Sequence, residues 1–254
     1  MTRSLPSSRV FASTLVIVVL VIIGAAYGIV RATSGPGPAP SHLASQPVSG
    51  RASATLDVTS GMPVLSVRMA KLGGTLLRVT TPDDAPVRPV LDGTATVRLS
   101  LTADHAAAHA GYTVSVVLNS AVAWHLELAG GTSRTVADLR GGTVNGIEVT
   151  AGSDVIGIVL PKPSDTVAVR VTGGASQLLV GVPSGVPARV LAGGGAAEVT
   201  LDAVNRTGVA GGTLITAPGW ATAANRYDIV ATAGISRLVV RQMPAQGNKQ
   251  RLPG

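Results

Sequence analysis

Two histidines of this chain have the spacing of a metal-binding pair. His105 and His109 lie four residues apart, so a helical segment would place both rings on one face. The segment lacks the glutamate of a metalloprotease motif, and the sequence offers no evident third ligand. Because residues 103–111 are better explained as a short connection between strands, we predict no metal-binding site here.

Acid–base catalysis requires two carboxylates that face a common cleft. Along the glycine-marked repeat described below, Asp154, Glu198 and Asp202 align only with uncharged or basic residues. No two acids of the repeat share a column, so the sequence predicts no acidic row along the fold. A dyad built from turns remains open, although solvated carboxylates are the simpler interpretation of Asp83, Asp84 and Asp165.

The polar and aromatic side chains do not suggest a ligand platform either. His125 alternates with Trp124 in an apolar–polar run, so its ring should face solvent beside Glu127. Ligands such as single-stranded nucleic acid are generally stacked on several aromatics, and only four lie outside the N-terminal apolar segment. One of them, Trp220, is expected to hold a long loop against the core.

Motifs for nucleophilic and nucleotide chemistry are absent from the sequence. The chain has no Gly-Xaa-Ser-Xaa-Gly elbow and no phosphate loop. It also has no cysteine, which excludes disulfides, thiol catalysis and zinc–thiolate sites. We therefore predict a non-catalytic protein with no catalytic, cofactor-binding or metal-binding residue and no cofactor.

Basic residues outnumber acidic ones, and the formal net charge is +7. The excess lies at the ends, because residues 1–51 and 237–254 each contain four basic residues and no acid. Between them, residues 52–236 hold 12 basic and 13 acidic side chains. Since nucleic-acid binding depends on clustered phosphate contacts, we predict that the fold binds no nucleic acid. The basic ends should be solvated or close to a membrane.

An uncharged apolar segment near the N-terminus predicts membrane insertion. Phe11–Val30, as a helix of about 30 Å, is long enough to cross a bilayer core. We assign 10–30 as a transmembrane anchor and 1–9 as a cytoplasmic N-terminus, because two arginines precede the span. The rest of the chain would then be extracytoplasmic. The alternative is a cleaved signal peptide ending near residues 24–26, which would leave a secreted protein.

The segment after the anchor has the composition of a spacer. Residues 31–50 are rich in Pro, Gly and Ser and contain no acid. A single histidine in such a linker, His42, should be solvated. Residues 51–120 then alternate apolar and polar side chains between turn signals, which predicts a region of half-buried strands.

Residues 121–241 contain a repeat marked by glycine. Segments starting at Gly152, Gly174, Gly195 and Gly234 align with spacings of 22, 21 and 39 residues, and residues 211–215 form a degenerate copy. Each unit is a strand, a turn and a strand with one apolar face per strand, so neighbouring units must stack to bury it. We predict an all-β fold with a β-solenoid-like layered domain; a β-sandwich is the alternative. Two of the apolar columns are Ile156, Leu178, Val199, Leu238 and Ile147, Val169, Val190, Ile229.

A stack of this kind leaves strand edges at both ends, and exposed edges invite aggregation. We expect the N-terminal β region, 51–120, to cap one end. At the other end the basic, disordered tail 242–254 should discourage further pairing. A homo-oligomer formed through the sheet edges is a further alternative.

One repeat unit, VRVTGGASQLLVGVPSGVPARVLAGGGAAEVTLD at residues 169–202, resembles the repeats of bacterial putative-adhesin domains. It is also similar to the C-terminal domain of LiaF-type proteins linked to the cell-wall antibiotic response. The resemblance spans roughly residues 120–241. It implies a layered, mostly non-catalytic β-repeat domain, often beside a membrane segment. An Ala-, Val-, Gly- and Arg-rich composition with few Lys is typical of a GC-rich genome, such as that of an actinobacterium.

These observations together predict a membrane-anchored, extracytoplasmic, non-catalytic β-repeat protein. It would serve as an adhesin-like interaction module or a cell-envelope-response module, with a partner protein or a wall component as its ligand. The alternative is an enzyme that acts on wall polysaccharide, which would require a long groove lined by several acids.

Overall fold

The computed structural model describes residues 42–103 and 111–243, and every regular element in them is a β-strand. Alternating Val, Leu and Ile favour this structure because such side chains pack well on a pleated, half-buried surface. The strands are β1 (Leu43–Pro47), β2 (Ser53–Val58), β3 (Met62–Ala70), β4 (Thr75–Thr80), β5 (Val87–Asp92), β6 (Thr96–Ala103), β7 (Thr113–Asn119), β8 (Ala123–Leu128), β9 (Thr132–Asp138), β10 (Thr143–Val149), β11 (Ser153–Val159), β12 (Thr166–Val171), β13 (Ala175–Pro183), β14 (Ala188–Ala192), β15 (Ala196–Leu201), β16 (Val204–Val209), β17 (Thr213–Thr216), β18 (Arg226–Ala231) and β19 (Ile235–Met243).

These strands form two mixed sheets, which confirms the all-β prediction. The ten-stranded sheet has the order β1-β4-β7-β3-β9-β11-β13-β19-β15-β16. The nine-stranded sheet has the order β17-β14-β18-β12-β10-β8-β2-β6-β5. Apolar residues of both sheets join one hydrophobic core, in which Trp124 and Tyr227 are the largest fully buried side chains.

Consecutive strands alternate between the two sheets, and each pair forms one layer of a stack. In β8–β9, β10–β11 and β12–β13, a strand of the nine-stranded sheet is followed by one of the ten-stranded sheet. Thr132, Ser153 and Ala175 begin β9, β11 and β13 at intervals of 21 and 22 residues and are aligned in parallel register. The apolar columns of the repeat are therefore neighbours in space, as Ile156 and Leu178 illustrate.

The last layer of the chain is inserted out of sequence order. β18 and β19 lie between β12–β13 on one side and β14–β15 on the other, so Leu238 separates Leu178 from Val199. Residues 211–215, interpreted as a degenerate parallel copy, contribute to β17, which runs antiparallel to β14. The last spacing of the repeat is 39 residues because β16 and β17, the antiparallel strands at the end of the stack, come between β15 and β18 in the chain.

Antiparallel strands form both ends of the stack. β4 and β5 pair with β7 and β6, and β1 extends beyond β4; at the other end, β16 and β17 flank β15 and β14. Some strands of 51–120 therefore lie at an end, but β2, β3, β6 and β7 are layers of the stack itself. The tail was predicted to begin at residue 242, but Gln242 and Met243 belong to β19, an interior strand of the ten-stranded sheet. That the residues after Met243 protect the opposite end stays a prediction.

The linker prediction for residues 31–50 is wrong at its C-terminal side. Leu43–Pro47 forms β1, which pairs antiparallel with β4. His42, expected to be solvated, is only 2% exposed, and its carbonyl oxygen accepts a hydrogen bond of 3.1 Å from the amide of Thr81. Composition misled here because polar residues and Pro suit an edge strand as well as a spacer.

Other predictions concern residues outside the described ranges. These are the cytoplasmic N-terminus 1–9, the anchor 10–30, the pair His105 and His109, and the tail after Met243. Within the ranges that the structure describes, no helix is long and apolar enough to cross a membrane.

Glycine is required at the turns that lead from the nine-stranded to the ten-stranded sheet. A Cβ atom at Gly130 would overlap the carbonyl oxygen of Ser60, and one at Gly173 would overlap that of Ala151. The backbone of one layer thus lies directly against the backbone of the next. The amide of Ser153 also donates a hydrogen bond of 3.1 Å to the carbonyl of Gly174 in the adjacent layer. Small residues at these turns therefore allow the close approach of the layers.

We predict that Gly173→Ala lowers the free energy of unfolding by about 2 kcal/mol or more, because the backbone of two layers must separate. The matched control is Gly74→Ala, where a Cβ meets no atom within 4 Å. Urea unfolding of the full chain in neutral detergent, followed by tryptophan fluorescence, measures both. Equal stability of the two variants would contradict close packing at the turns.

Candidate functional site

The histidine singled out by the alternation pattern faces outward, as expected. The Nε2 atom of His125 lies 3.7 Å from Oε1 of Glu127, and the imidazole is 32% exposed. A Cβ at Gly146 would come within 2.7 Å of the His125 Nδ1 atom, so the imidazole covers that glycine. Among the described residues, no group of three or more His, Asp and Glu side chains could hold a metal ion.

Trp220 holds a loop against the nine-stranded sheet. Its Nε1 atom donates a hydrogen bond of 2.8 Å to the carbonyl oxygen of Tyr227. The guanidinium groups of Arg189 and Arg226 stack over the indole at 3.8 and 4.3 Å from its centroid. Because the protein's own arginines stack on this ring, Trp220 is part of the fold and does not form an open stacking platform.

An acidic row does run along the fold, contrary to the sequence prediction. Asp57, Glu127 and Glu148 are aligned in register on β2, β8 and β10. Arg98 and Arg170 flank the row, with Arg98 Nε 3.4 Å from Asp57 Oδ2 and Arg170 Nη1 4.0 Å from Glu148 Oε1. The prediction failed because the columns were compared only within the later repeats, whereas two of these acids lie on earlier strands of the same stack.

A shallow groove follows the glycine turns on one side of the stack. Its floor includes Gly131, Gly152 and Gly174, and Asp154 is the one carboxylate that lines it. The hydroxyls of Thr132 and Ser153 are hydrogen bonded to each other at 2.9 Å. Tyr112 lies at the groove, and partial burial raises the pKa of its hydroxyl. The several acids that the enzyme alternative requires do not line this groove.

The two sheets differ in the balance of charge on their strands. Strands of the nine-stranded sheet carry five arginines and five carboxylates. Strands of the ten-stranded sheet carry six arginines and three carboxylates. A domain that is nearly neutral along its sequence therefore concentrates positive charge on one sheet.

Three arginines of the nine-stranded sheet contact carboxylates, and a fourth, Arg226, donates hydrogen bonds to the Thr166 hydroxyl and to two backbone carbonyls instead. Besides the two contacts that flank the acidic row, Arg189 forms a bidentate pair with Asp228. Its Nε and Nη2 atoms donate hydrogen bonds of 3.0 and 2.8 Å to the two carboxylate oxygens. This hydrogen bonding raises the pKa of the Arg189 guanidinium.

Five of the six arginines on the ten-stranded sheet have no carboxylate partner in the described part of the chain, and four of these five point outward. The nearby carboxylates are already engaged: Asp138 accepts hydrogen bonds of 2.8 and 2.5 Å from Arg140. Glu198 is 3.1 Å from Arg237 Nε and accepts a hydrogen bond of 2.7 Å from Asn205. The four outward-pointing arginines without an ion pair are Arg68 on β3, Arg78 on β4, Arg134 on β9 and Arg241 on β19. The fifth, Arg206 on β16, is aligned with the buried Val199 and so lies on the other side of the sheet. We call the outward side of the ten-stranded sheet, with these four residues and Arg237, the arginine face.

A row of small and aliphatic residues crosses the arginine face. Val136, Leu179 and Val239 point away from the hydrophobic core, yet they are only 4%, 1% and 1% exposed. Long arginine side chains on either side can cover such residues with their aliphatic stems. The Nε atoms of Arg68 and Arg241 are buried without a hydrogen-bond partner, as expected if these side chains lie along the sheet. The shielded row consists of Ser66, Val136, Gly157, Leu179, Val239 and Thr200, neighbours in register.

The arginine face was not foreseen from the sequence. Arg237 and Arg241 were assigned to a basic end, but both belong to β19 in the middle of the sheet. Arg134 and Arg68 lie in a segment whose acids and bases balance. The register places Asp138 beside Arg68, but the Asp138 carboxylate is bonded to Arg140, so only the contacts in the folded chain reveal the face. The outward position of each arginine within its alternating strand was the available signal.

We predict that Glu127→Gln raises the free energy of unfolding by about 0.5 kcal/mol, because like charges aligned on adjacent strands repel each other. The gain should shrink in 1 M salt, which screens exposed charges. Thermal unfolding in low and high salt measures the effect. A loss of stability at low salt would show that the central carboxylate of the row contributes favourable contacts.

Comparison with known proteins shows the fold and no closer relationship. No family model matches the chain, and no curated protein was found to be similar to it. A solved structure of a putative cell adhesion protein from Clostridium sporogenes is 10% identical, with a TM-score of 0.57 over 79% of this chain and 98% of that chain. Putative adhesins from Bacteroides fragilis and Parabacteroides merdae are 11% and 10% identical over 80% of this chain, with TM-scores of 0.25 and 0.20. They align over 100% and 93% of their own chains. At 10% identity, the likeness to the Clostridium sporogenes structure establishes a shared fold.

Proposed function

We propose that this chain is a membrane-anchored, extracytoplasmic, non-catalytic interaction module of the adhesin-like type. The arginine face, with four arginines that lack an ion pair in the described residues, is the observation that carries the proposal. Arginines without ion pairs on a broad sheet suit a binding surface, because guanidinium groups offer several donors in a fixed geometry. The layered sheets act as a β-solenoid-like scaffold that holds these donors in place.

The anchor and the location are supported by the sequence. An uncharged span at 10–30 followed by a Pro-, Gly- and Ser-rich segment would hold the folded domain near the outer surface of a membrane. The fold likeness to a putative cell adhesion protein favours an interaction role. The resemblance to LiaF-type domains favours a role in the response to envelope stress as the more specific form of the proposal.

The polysaccharide-acting enzyme is the weaker alternative. It requires acids along a groove, yet Asp154 is the one carboxylate in the groove beside the glycine turns. Asp57, Glu127 and Glu148 lie instead on the outer side of a sheet, where two of them contact arginines. Carboxylates in ion pairs on an open sheet are typical of a structural role.

Photo-crosslinking in intact cells tests the proposed binding surface. A photoreactive amino acid at Gln177, in line with Arg134 and Arg237 on the arginine face, should form products with a protein or polymer partner. The matched control is the same amino acid at Ala168, a partly exposed outward position on the nine-stranded sheet. We expect crosslinks from position 177 and few from position 168.

Two results would overturn the proposal. The first is an equal yield of crosslinks from both positions, which would mean that the arginine face is not the binding surface. The second is complete protection of the folded domain from protease added to intact spheroplasts, together with cleavage after lysis. That pattern would place the domain on the cytoplasmic side.

A further inference from the structure

We propose that the arginine face binds one extended, phosphate-bearing polymer chain that lies across the strands, along the axis of the stack. The inference rests on the proposed function and names the chemistry of its partner. Arg68, Arg78, Arg134 and Arg241 supply positive charge and form no ion pair with a carboxylate of the described residues. Phosphate groups match guanidinium groups in charge and in hydrogen-bonding geometry.

The register of the strands places the arginines in two lines on either side of the shielded row. Arg134 and Arg237 belong to one line, which runs through Val155 and Gln177. Arg78, Arg68 and Arg241 belong to the other, which is four residues further along the strands. This second line also contains Asp138, whose carboxylate is bonded to Arg140. At about 3.3 Å per residue, the two lines are roughly 13 Å apart.

The spacing along each line suits an extended chain. Neighbouring strands are about 4.8 Å apart, so Arg134 on β9 and Arg237 on β19, three strands apart, are separated by roughly 14 Å. Arg68 on β3 and Arg241 on β19 are four strands apart, roughly 19 Å. A single phosphate could contact only one of these groups at a time. A polymer with repeated phosphates can contact several, and each contact releases counterions.

The floor between the two lines argues for a polymer with a slender, non-aromatic backbone. It is formed by aliphatic and small residues, Val136, Gly157, Leu179 and Val239 among them, and none is aromatic. Single-stranded nucleic acid would lack the aromatic platforms on which its bases usually stack. A duplex is wider than the floor, and a membrane surface is usually held by exposed apolar side chains, whereas these are shielded. A chain of polyols or sugars joined by phosphodiesters is slender and needs no aromatic platform, so it fits this floor.

Calorimetric titration of the full-length chain in neutral detergent with a synthetic poly(glycerol phosphate) of about ten repeats tests the inference. Wild type should bind at 50 mM salt and lose at least tenfold in affinity at 200 mM. The double variant R134Q/R241Q should bind at least tenfold more weakly. The control R98Q/R170Q removes the same charge from the nine-stranded sheet and should change affinity less than twofold. If R134Q/R241Q fails to fold, Arg78→Gln, an exposed position on β4, replaces it.

The inference is overturned if both double variants weaken binding equally, since binding would then follow net charge alone. It is also overturned if wild type does not bind the polymer at 50 mM salt. Tighter binding to duplex DNA or to anionic phospholipid vesicles, with the same dependence on Arg134 and Arg241, would reassign the face to those ligands. If polymer binding is absent while crosslinks from position 177 persist in cells, the interaction module stands and only the chemistry of its partner changes.

Discussion

Parallel, in-register pairing between layers is the constraint on which the rest of the structure depends. Each layer adds one strand to each sheet, and hydrogen bonds hold equivalent residues of successive layers side by side. The turns between the sheets allow this spacing because Gly130 and Gly173 bring backbones into direct contact. A residue type that recurs at one position of the repeat therefore becomes a row on the surface or a column in the core.

The same constraint explains how much could be predicted from the sequence. The core columns, such as Ile156 beside Leu178, followed from the glycine-marked spacing because burial preserves apolar character in every copy. The insertion of β18–β19 between earlier layers did not follow, since a repeat defines equivalent strands and not their order in space. Strand β1 was missed because a short polar edge strand resembles a linker in composition.

Surface rows were harder to predict than core columns. The acidic row joins Asp57 and Glu127 to Glu148 across 91 residues of sequence, and only the register brings them together. Arg237 and Arg241 were counted with a basic terminus, although β19 places them inside the ten-stranded sheet. The net charge of a chain segment therefore says little about the charge of either sheet surface in a layered fold. Among the described residues, Arg98, Arg170 and Arg189 of the nine-stranded sheet contact carboxylates, whereas Arg237 is the one strand arginine of the ten-stranded sheet that does. This difference between two sheets of similar size is the physical basis of the functional proposal.

The position of the last layer decides whether the arginine face exists, because it brings Arg237 and Arg241 into the sheet beside Gln177 and Gly181. The chain has no cysteine, so engineered cysteine pairs measure this directly. Gln177→Cys combined with Arg237→Cys should form a disulfide readily, because the two positions are in register on adjacent strands. Gln177→Cys combined with Glu198→Cys should not, because β19 separates those strands and places them about 9.6 Å apart. Efficient crosslinking of the second pair and failure of the first would show that the layers follow sequence order and would contradict this account.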